Sequence, residues 1–376
     1  MNDFANTLPA IEFDQGLIER YDGRGPRYTS YPTALQFSDA VTEDVYRANA
    51  RQSNASGAPL SLYVHIPFCH SLCYYCGCNK IVTRNQARVE RYMEMLYKEI
   101  GMQAEMFDAT RKATQLHFGG GTPTYLDTQQ MDALMARLGE AFTLDHGEER
   151  EFSIEVDPRT VDGDGLRHLT DLGFNRLSLG IQDFDPQVQE AVNRKQSHAE
   201  VTDLVEAARG AGYKSISFDL IYGLPHQSVE SFNATLDLVI ALRPDRLAVY
   251  NYAHLPERFK GQRMINAADI PLPATKLDIL HGTIDRLSDS GYLYIGMDHF
   301  ALPEDDLVLA RGDGTLQRNF QGYSTHGECD LVGLGVSSIS DIGNVYSQNA
   351  VTTMEYETLI EDGHIPIKKG VVVDDD

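Results

Sequence analysis

Short apolar runs alternate along the chain with longer segments of helical periodicity. Runs rich in β-branched and aromatic residues predict strands at 60–68, 115–118, 152–156, 176–181, 216–222, 247–252 and 292–297. Apolar positions that recur every three or four residues predict helices at 86–106, 128–141, 165–172, 199–210, 229–242 and 274–288. Strands roughly 25–40 residues apart with a helix in each interval are typical of βαβ units and a parallel sheet. We therefore predict an α/β fold in which six such units form a partial (β/α)6 barrel over residues 51–300.

The first fifty residues lack this alternation. They carry turn signals, a Gly-Pro pair at Gly25 and a Tyr-Pro pair at Tyr31, and no clear helical or strand period. We predict that residues 1–50 form an extended N-terminal arm rather than a domain.

Polar residues gather where the predicted strands end, which is where α/β barrels place their active sites. After the first strand comes a cysteine-rich loop, and the others are followed by residues 119–123, Glu155 and Asp157, Gln182 and Asp183, and residues 251–254. Taken singly, a glycine loop is often only a tight turn and a carboxylate is often a helix cap. Asp219 is harder to explain structurally, because it lies within an apolar strand where an unpaired carboxylate is costly. Their convergence on one rim favours a functional site.

The most informative feature is a cluster of cysteines. Four of the five cysteines, Cys69, Cys73, Cys76 and Cys78, fall within ten residues, and only Cys329 lies elsewhere. A disulfide staple is the weakest explanation, because a chain of this length can bury a core without one. Structural zinc usually takes two separated pairs of ligands, and no second pair is present. Thiols spaced four and three residues apart on a tight loop suit three corners of a [4Fe–4S] cluster, and a structural zinc site stays open as the alternative.

Composition narrows the function classes further. The 376 residues carry a formal net charge of −23, which argues against broad nucleic-acid binding. No basic stretch followed by an apolar run opens the chain, and no run of 18 apolar residues occurs, so we expect neither a signal peptide nor a membrane span. Clustered free thiols indicate a reducing compartment, and we predict a cytoplasmic enzyme.

The Cys-x3-Cys-x2-Cys spacing resembles that of the radical S-adenosylmethionine (SAM) superfamily. Longer strings resemble one family within it, the oxygen-independent coproporphyrinogen III oxidases (dehydrogenases). These strings are residues 25–33, 63–68, 69–80, 117–123, 154–159, 219–225, 251–254 and 296–300. The resemblance runs from about residue 20 to the last residue. It implies a [4Fe–4S] cluster, two molecules of SAM, and oxidative decarboxylation of two propionates of coproporphyrinogen III to vinyl groups, giving protoporphyrinogen IX. It also implies an electron donor and an acceptor, which no motif identifies, and a monomer.

The resemblance also assigns roles to individual positions. Cys69, Cys73 and Cys76 match the cluster ligands, and Cys78 matches a cysteine that is not a ligand but distinguishes the decarboxylases. Four residues match family positions that contact the SAM on the cluster, namely Tyr63, Gly120, Glu155 and Ile339. Seven residues match family positions that contact the second SAM, namely Tyr75, Gly121, Thr122, Gln182, Arg194, Asp219 and Ala253. Basic residues beside these strings are candidates for the substrate carboxylates: Arg24, Arg27, Lys80, Arg84 and Arg318.

Two other classes remain as alternatives. A haem-binding chaperone of the same superfamily typically has an aromatic residue where Cys78 stands and a tryptophan in a later string, whereas this chain contains no tryptophan. An inactive fragment is the other alternative, because family members usually continue for about eighty residues into a helical C-terminal domain. We accordingly expect residues 301–376 to be a substrate-covering segment leading into a domain that is largely missing.

Overall fold

One large mixed sheet organises the protein. The computed structural model describes residues 13, 14, 16, 17, 20 and 30–373. Its strands are β1 (Leu60–Ile66), β2 (Phe68–Cys69), β3 (Ile81–Val82), β4 (Lys112–Gly120), β5 (Thr143–Leu144), β6 (Glu151–Val156), β7 (Arg176–Gln182), β8 (Ser215–Tyr222), β9 (Arg246–Asn251), β10 (Leu293–Gly296), β11 (His299–Ala301), β12 (Gln317–Asn319), β13 (Gly322–Ser324), β14 (Asp330–Leu334), β15 (Ile339–Ile342), β16 (Val345–Asn349) and β17 (Ile367–Val372). Its α-helices are α1 (Glu43–Ser53), α2 (Gln86–Ala104), α3 (Thr128–Ala141), α4 (Gly163–Asp171), α5 (Pro186–Ala191), α6 (His198–Ala211), α7 (Val229–Leu242), α8 (Pro273–Asp289), α9 (Asp306–Asp313) and α10 (Thr353–Glu361).

All six predicted parallel strands are present. They lie in the order β9-β8-β7-β6-β4-β1, each paired in parallel with the next. The seventh predicted strand is β10, but it lies at the sheet edge and pairs antiparallel with β11, which in turn pairs antiparallel with β9. The six predicted helices are also present, and each begins and ends within two residues of its predicted bounds. They are α2, α3, α4, α6, α7 and α8. The βαβ pattern is therefore confirmed over the barrel.

Local signals explain where these helices begin. The Asp127 side chain accepts a hydrogen bond from the Gln130 backbone amide, and the Gln130 side chain accepts one from the Asp127 backbone amide. The two residues therefore form a capping box at α3. Ser197 and Glu200 form the same arrangement at α6, which ends at Gly212 with φ +89°. These caps fix where α3 and α6 begin, and so delimit the loops that join them to the preceding strands.

The predicted extended arm is wrong in its last part, where α1 forms. Thr42 caps this helix by accepting a hydrogen bond from the Val45 amide. Tyr46 and Ala50, one helical turn apart, are fully buried, and the Tyr46 hydroxyl donates to Gln103 Oε1 at 2.8 Å. The tyrosine anchors α1 to α2, an interaction that turn signals alone did not indicate. Most of residues 1–29 lie outside the described residues, including Arg24 and Arg27.

Residues after 300 extend the same sheet. Strand β14 pairs in parallel with β1, with Leu60 opposite Asp330, and β15, β16 and β17 continue antiparallel from it. Arg111 and Asp330 form a buried ion pair at 2.5 Å beside this junction. The predicted boundary at residue 300 is therefore not a break in the sheet. That this segment covers a substrate stays a prediction.

No helix in the described part of the chain combines the length and the apolarity that crossing a bilayer requires.

Glu99 is a fully buried carboxylic acid between α2, α10 and the end of β14. It accepts hydrogen bonds from the Tyr356 hydroxyl at 2.5 Å, the Gly335 amide at 2.7 Å and the Asn349 amide group at 2.7 Å. Burial outweighs these bonds and raises the pKa of Glu99 to about 7. The folded protein therefore holds a proton that the unfolded chain releases near pH 4.5.

We expect Glu99→Gln to change how stability depends on pH. Between about pH 4.5 and 7 the native state binds a proton that the unfolded state lacks, so this group lowers native stability as pH rises through that window. The variant lacks this titration. Urea unfolding at pH 5 and pH 8 should show its free energy of unfolding rising relative to the unchanged protein by about 1–3 kcal/mol at the higher pH. Glu105→Gln makes the same chemical change at an exposed position and serves as the control. A relative free energy that is constant, or that falls, contradicts the assignment.

Candidate active site

The cysteine loop is closed at its base by a short parallel ladder. Strand β2 pairs with β3 so that Phe68 lies opposite Ile81 and Cys69 opposite Val82. The Ile81 amide also donates to the Pro67 carbonyl at 2.6 Å. Residues 70–80 therefore form a loop whose two ends are fixed directly beyond β1. This closure holds the later cysteines near Cys69 although they follow it by up to nine residues.

All four clustered thiols line one cavity of about 550 Å3. They are free; Cys69 and Cys73 are buried, Cys76 is half-buried and Cys78 is exposed. Hydrogen bonding from Cys78, together with the nearby ammonium of Lys80, lowers the pKa of Cys76 despite its burial. Burial raises the pKa of Cys69 to about 11, although the Thr122 hydroxyl donates to its sulfur at 3.5 Å. Cationic and hydroxyl donors thus surround the sulfurs, as thiolate ligands require.

The three predicted ligands do not form a compact single-zinc site. Zn–S bonds of ~2.3 Å would place ligand sulfurs roughly 3.8 Å apart. Among the described residues, Cys69, Cys73 and Cys76 do not form a set in which all sulfurs lie within 4.8 Å of one another. The three thiols are therefore not arranged as a compact single-ion site, and three cysteines on one loop beside one cavity fit the predicted [4Fe–4S] group.

Two arginines and a carboxylate form the wall behind Cys73. Arg194 and Arg159 donate to the Cys73 sulfur at 3.5 and 3.6 Å. Both also bind Asp157, at 3.0 and 2.6 Å, and Arg194 donates to the Gly180 carbonyl at 2.6 Å. Burial alone would raise the pKa of Asp157, but the hydrogen bond from Arg159 and the charge of Arg194 hold it below its usual value. The two guanidinium groups therefore balance the charges of Asp157 and of an ionised Cys73.

Two buried polar atoms on this wall have no partner within the described residues, namely Gln182 Oε1 and Arg194 Nε. Gln182 ends β7 with φ +67°, which is unusual for a residue with a side chain. The pairing of β7 with β8 is irregular between Gly180 and Gln182, and such bulges redirect side chains beside active sites. Because buried polar groups are normally hydrogen-bonded, an acceptor and a donor left open here fit a polar ligand such as SAM.

The loop after β4 brings backbone close to the cavity. Gly120 has φ +115°, and its amide donates to Glu155 Oε2 at 3.2 Å. A methyl group at Gly121 would lie 2.6 Å from the Pro67 carbonyl oxygen. Glycine is therefore required where this loop crosses the start of the cysteine loop, and the close approach exposes peptide groups to a ligand.

Polar side chains continue from the cavity into the barrel interior. Glu155 lies 3.3 Å from His117 Nε2, and Ser178 donates to Asp219 at 3.3 Å. Burial and the charge of Glu155 raise the pKa of Asp219 to about 7. The carboxyl group predicted to be costly is thus accommodated partly by protonation.

The structure brings together most of the predicted site residues. Besides the four clustered cysteines, the cavity is lined by Tyr75, Gly120, Gly121, Thr122, Glu155, Gln182, Arg194 and Asp219. Three predicted residues do not line it. Tyr63 stacks on His117 with ring centroids 5.8 Å apart, the Ala253 carbonyl accepts from Gln262 at 3.2 Å, and Ile339 is half-buried on β15. Their predicted SAM contacts stay predictions.

Several residues that line the cavity have no role in the sequence prediction. Ser178 and Gly180 share one face of β7 with Gln182, and Tyr250 lies on β9. Arg159 belongs to one of the matching strings, 154–159, but the resemblance assigns it no role. A period-two polar pattern along β7 was the available signal, because alternate residues of a strand share a face. Of the substrate candidates, Lys80 lines the cavity; Arg84 is exposed and does not, and Arg318 lies over the Tyr323 ring at 4.6 Å.

Cys329 lies outside this cavity. Its sulfur is 3.6 Å from the Thr114 hydroxyl and within 4.8 Å of His326 and Glu328, on the loop before β14. Burial raises its pKa to about 11. This thiol therefore takes no part in the clustered site.

Comparison with known proteins supports the same assignment. The sequence model of the Radical SAM superfamily matches residues 63–239. The chain is 53% identical over 364 residues to the oxygen-independent coproporphyrinogen III oxidase of Pseudomonas aeruginosa, covering 97% of this chain and 79% of that protein. It is 51% identical over 368 residues to the enzyme of the same description from Escherichia coli, covering 98% and 79%.

A solved structure gives the same result for the fold. The coproporphyrinogen III oxidase HemN from Escherichia coli, described as a radical SAM enzyme, superposes with a TM-score of 0.91 at 49% identity, covering 97% of this chain and 82% of that chain. The predicted fold, and the prediction of an enzyme rather than a haem chaperone or a zinc module, are thereby confirmed. A [4Fe–4S] cluster and SAM are the characteristic cofactors of this superfamily. The chain belongs to the oxygen-independent coproporphyrinogen III oxidase family of the radical SAM superfamily.

Proposed function

We propose that this protein decarboxylates two propionates of coproporphyrinogen III to vinyl groups and yields protoporphyrinogen IX without O2. The observation that carries the proposal is the closed cysteine loop, which presents three thiols to a cavity with open polar atoms, in a chain of this family. When bound, the cluster and SAM supply the one-electron chemistry that removes a hydrogen atom from the propionate side chain. The protein residues bind, orient and enclose the reacting groups.

The three thiols Cys69, Cys73 and Cys76 are the proposed cluster ligands. Arg194 and Arg159 donate to Cys73, and Thr122 donates to Cys69. Hydrogen bonding from Cys78 and the charge of Lys80 lower the pKa of Cys76, so all three sulfurs have a positive or polar neighbour that stabilises the ionised form. Clusters of this type usually take four cysteines, so a cluster held by these three thiols would keep one position open to SAM. Cys78 is exposed beside them and is proposed to act near the substrate instead.

The cavity walls provide complementary groups for SAM. Arg194 can pair a methionyl carboxylate through a charge-assisted hydrogen bond, and the open Gln182 oxygen can accept from an amino or hydroxyl group. The backbone of Gly120 and Gly121 permits close contact, and the ring of Tyr75 offers a face for the adenine. Two SAM molecules are proposed, with Tyr63, Glu155 and Ile339 assigned to the one on the cluster and Thr122, Asp219 and Ala253 to the second.

The substrate carries four carboxylates and requires cations at the cavity. Lys80 lines the cavity, donates to the Cys76 carbonyl at 2.9 Å and is the favoured candidate among the predicted cations. Arg159 is a second candidate, which the structure adds. We further propose a cytoplasmic monomer that uses separate electron donors and acceptors and, given its net charge of −23, does not bind nucleic acid.

Anaerobic turnover tests the proposal directly. The protein is reconstituted with iron and sulfide, then mixed with dithionite, SAM and coproporphyrinogen III. We expect 5′-deoxyadenosine and the divinyl porphyrin product to appear together, and neither to form when SAM is omitted. Deoxyadenosine without porphyrin product would contradict the substrate assignment, and a fully formed cluster with neither product would contradict the reaction.

A further inference from the structure

Residues 255–264, here called the basic loop, lie against the outer side of the cysteine loop. Gln262, which is 2% exposed, donates to the Tyr75 carbonyl at 2.9 Å and to the Ala253 carbonyl at 3.2 Å. Gly77 packs against the Phe259 ring, because a methyl group added at Gly77 would lie only 3.2 Å from that ring. The basic loop is therefore fixed against the stretch of chain that contains Cys76 and Cys78.

The charge of the basic loop is opposite to that of the whole protein. It contains three cations, Arg258, Lys260 and Arg263, and one carboxylate, Glu257, whereas the chain has 55 acidic and 32 basic residues. All three cations are exposed, and within the described residues none is paired with a carboxylate. Arg258 lies over the Phe259 ring at 5.4 Å, and Arg263 donates to the Pro256 carbonyl at 3.0 Å. A positive patch is thus held open on an acidic molecule.

Exposed apolar side chains accompany these cations. Leu255 is 37% exposed and Met264 is 63% exposed. Methionine and arginine are enriched in protein–protein interfaces, exposed apolar groups mark surfaces that bind partners, and a charged surface attracts a partner of the opposite charge. The combination favours a protein partner of negative charge.

The basic loop does not belong to the substrate cavity. No residue of 255–264 lines that cavity in the part of the chain that the structure describes, and the cavity has its own cations in Lys80, Arg159 and Arg194. The loop faces outward on one side and contacts the cysteine loop on the other. Its position suits a partner that must come close to the cluster without entering the cavity.

We propose that the basic loop is the docking surface for an acidic protein that carries one electron at a time. This inference rests on the proposed function, because radical SAM chemistry requires a reduced cluster. The reduced cofactor of the carrier loses one electron and the cluster gains it, and no bond forms or breaks in this step. Opposite charges steer the carrier to the basic loop. The contacts of Phe259 and Gln262 with the cysteine loop hold the basic loop itself beside the cluster site.

The test compares two double charge reversals, Arg258→Glu/Lys260→Glu and Lys112→Glu/Lys214→Glu. The control pair lies at the opposite, amino-terminal ends of β4 and β8, and both lysines are exposed. The probe is a purified acidic flavodoxin, an FMN protein. Its affinity is measured by titration, and deoxyadenosine formation is measured with the reduced flavodoxin and, separately, with dithionite.

We expect the basic-loop variant to bind flavodoxin at least about tenfold more weakly, because charge steering and complementarity change association by factors of roughly 10 to 1,000. The ratio of flavodoxin-driven to dithionite-driven rates should fall to a similar extent, and its dependence on salt should flatten. The control variant should match the unchanged protein in both measurements.

Three outcomes would overturn the docking surface. These are unchanged affinity and ratio in the basic-loop variant, an equal loss in the control variant, and a loss of both rates together that leaves the ratio unchanged. If the unchanged protein makes no deoxyadenosine even with dithionite, the proposed function fails. The binding titration then still decides the docking surface on its own.

Discussion

Cys73→Ala is expected to abolish cluster binding and, with it, deoxyadenosine formation. Cys73 is buried and is the clustered thiol toward which Arg194 and Arg159 both donate. Its removal leaves two clustered arginines without a thiolate and removes one of three proposed ligands. Iron content should fall from about four per chain to a small fraction of that value, and activity should fall on the order of a thousandfold or more, as when one member of a cooperating unit is removed.

Cys329→Ala is the matched control. It makes the same chemical change at a thiol outside the cavity, beside Thr114. Iron and sulfide content, visible absorbance and anaerobic deoxyadenosine formation are measured for both variants, with thermal unfolding to check the fold. The assignment is wrong if the Cys73 variant keeps its iron and activity, or if the Cys329 variant loses them equally.

Gly121→Ala is expected to have the second-largest effect. The added methyl would lie 2.6 Å from the Pro67 oxygen, 2.7 Å from its carbonyl carbon and 2.9 Å from the Phe68 oxygen. All three atoms are backbone, so no flexible side chain can move aside. The Gly121 amide also donates to the Ile66 carbonyl at 2.8 Å, which ties the loop after β4 to the end of β1. Relief of the clash must therefore shift the base of the cysteine loop.

The expected cost is about 1–3 kcal/mol in the free energy of unfolding, together with weaker retention of the cluster. Urea unfolding and iron content under anaerobic conditions measure the two effects. Gly210→Ala is the control, because a methyl there meets nothing within 4 Å and the residue lies in α6. That change should instead stabilise the protein by roughly 0.5–1 kcal/mol. Equal effects of the two substitutions would contradict the argument.

The barrel was predictable from the sequence because its signals are local. Each parallel strand is a short apolar run, and helices such as α3 and α7 have clear periods and caps. The segment after residue 300 was not predictable in this way. Its strands are short, and β14 joins the barrel strands by pairing with β1, some 270 residues earlier in the sequence. Long-range pairing leaves little trace in a local pattern.

The site was predictable to a similar extent. The thiols, the glycine loop and the strand-end carboxylates are recognisable by residue type and spacing. Arg159, Ser178 and Tyr250 are ordinary residues in the sequence and acquire a role only because neighbouring strands bring them to one cavity. The open oxygen of Gln182 was likewise invisible, since it depends on a positive φ and an irregular strand pairing.

The pairing of β14 with β1 has a consequence for how the protein folds as it is synthesised. Strand β1 carries the cysteine loop at its end, yet one of its two neighbours leaves the ribosome about 270 residues later. Until then β1 is an unprotected edge strand, and the contacts that enclose it are among the most distant in the chain. Such contacts slow folding and leave partly folded chains prone to aggregation. Cells that make this protein therefore face a long interval in which the thiols are already present but the sheet beneath them is incomplete.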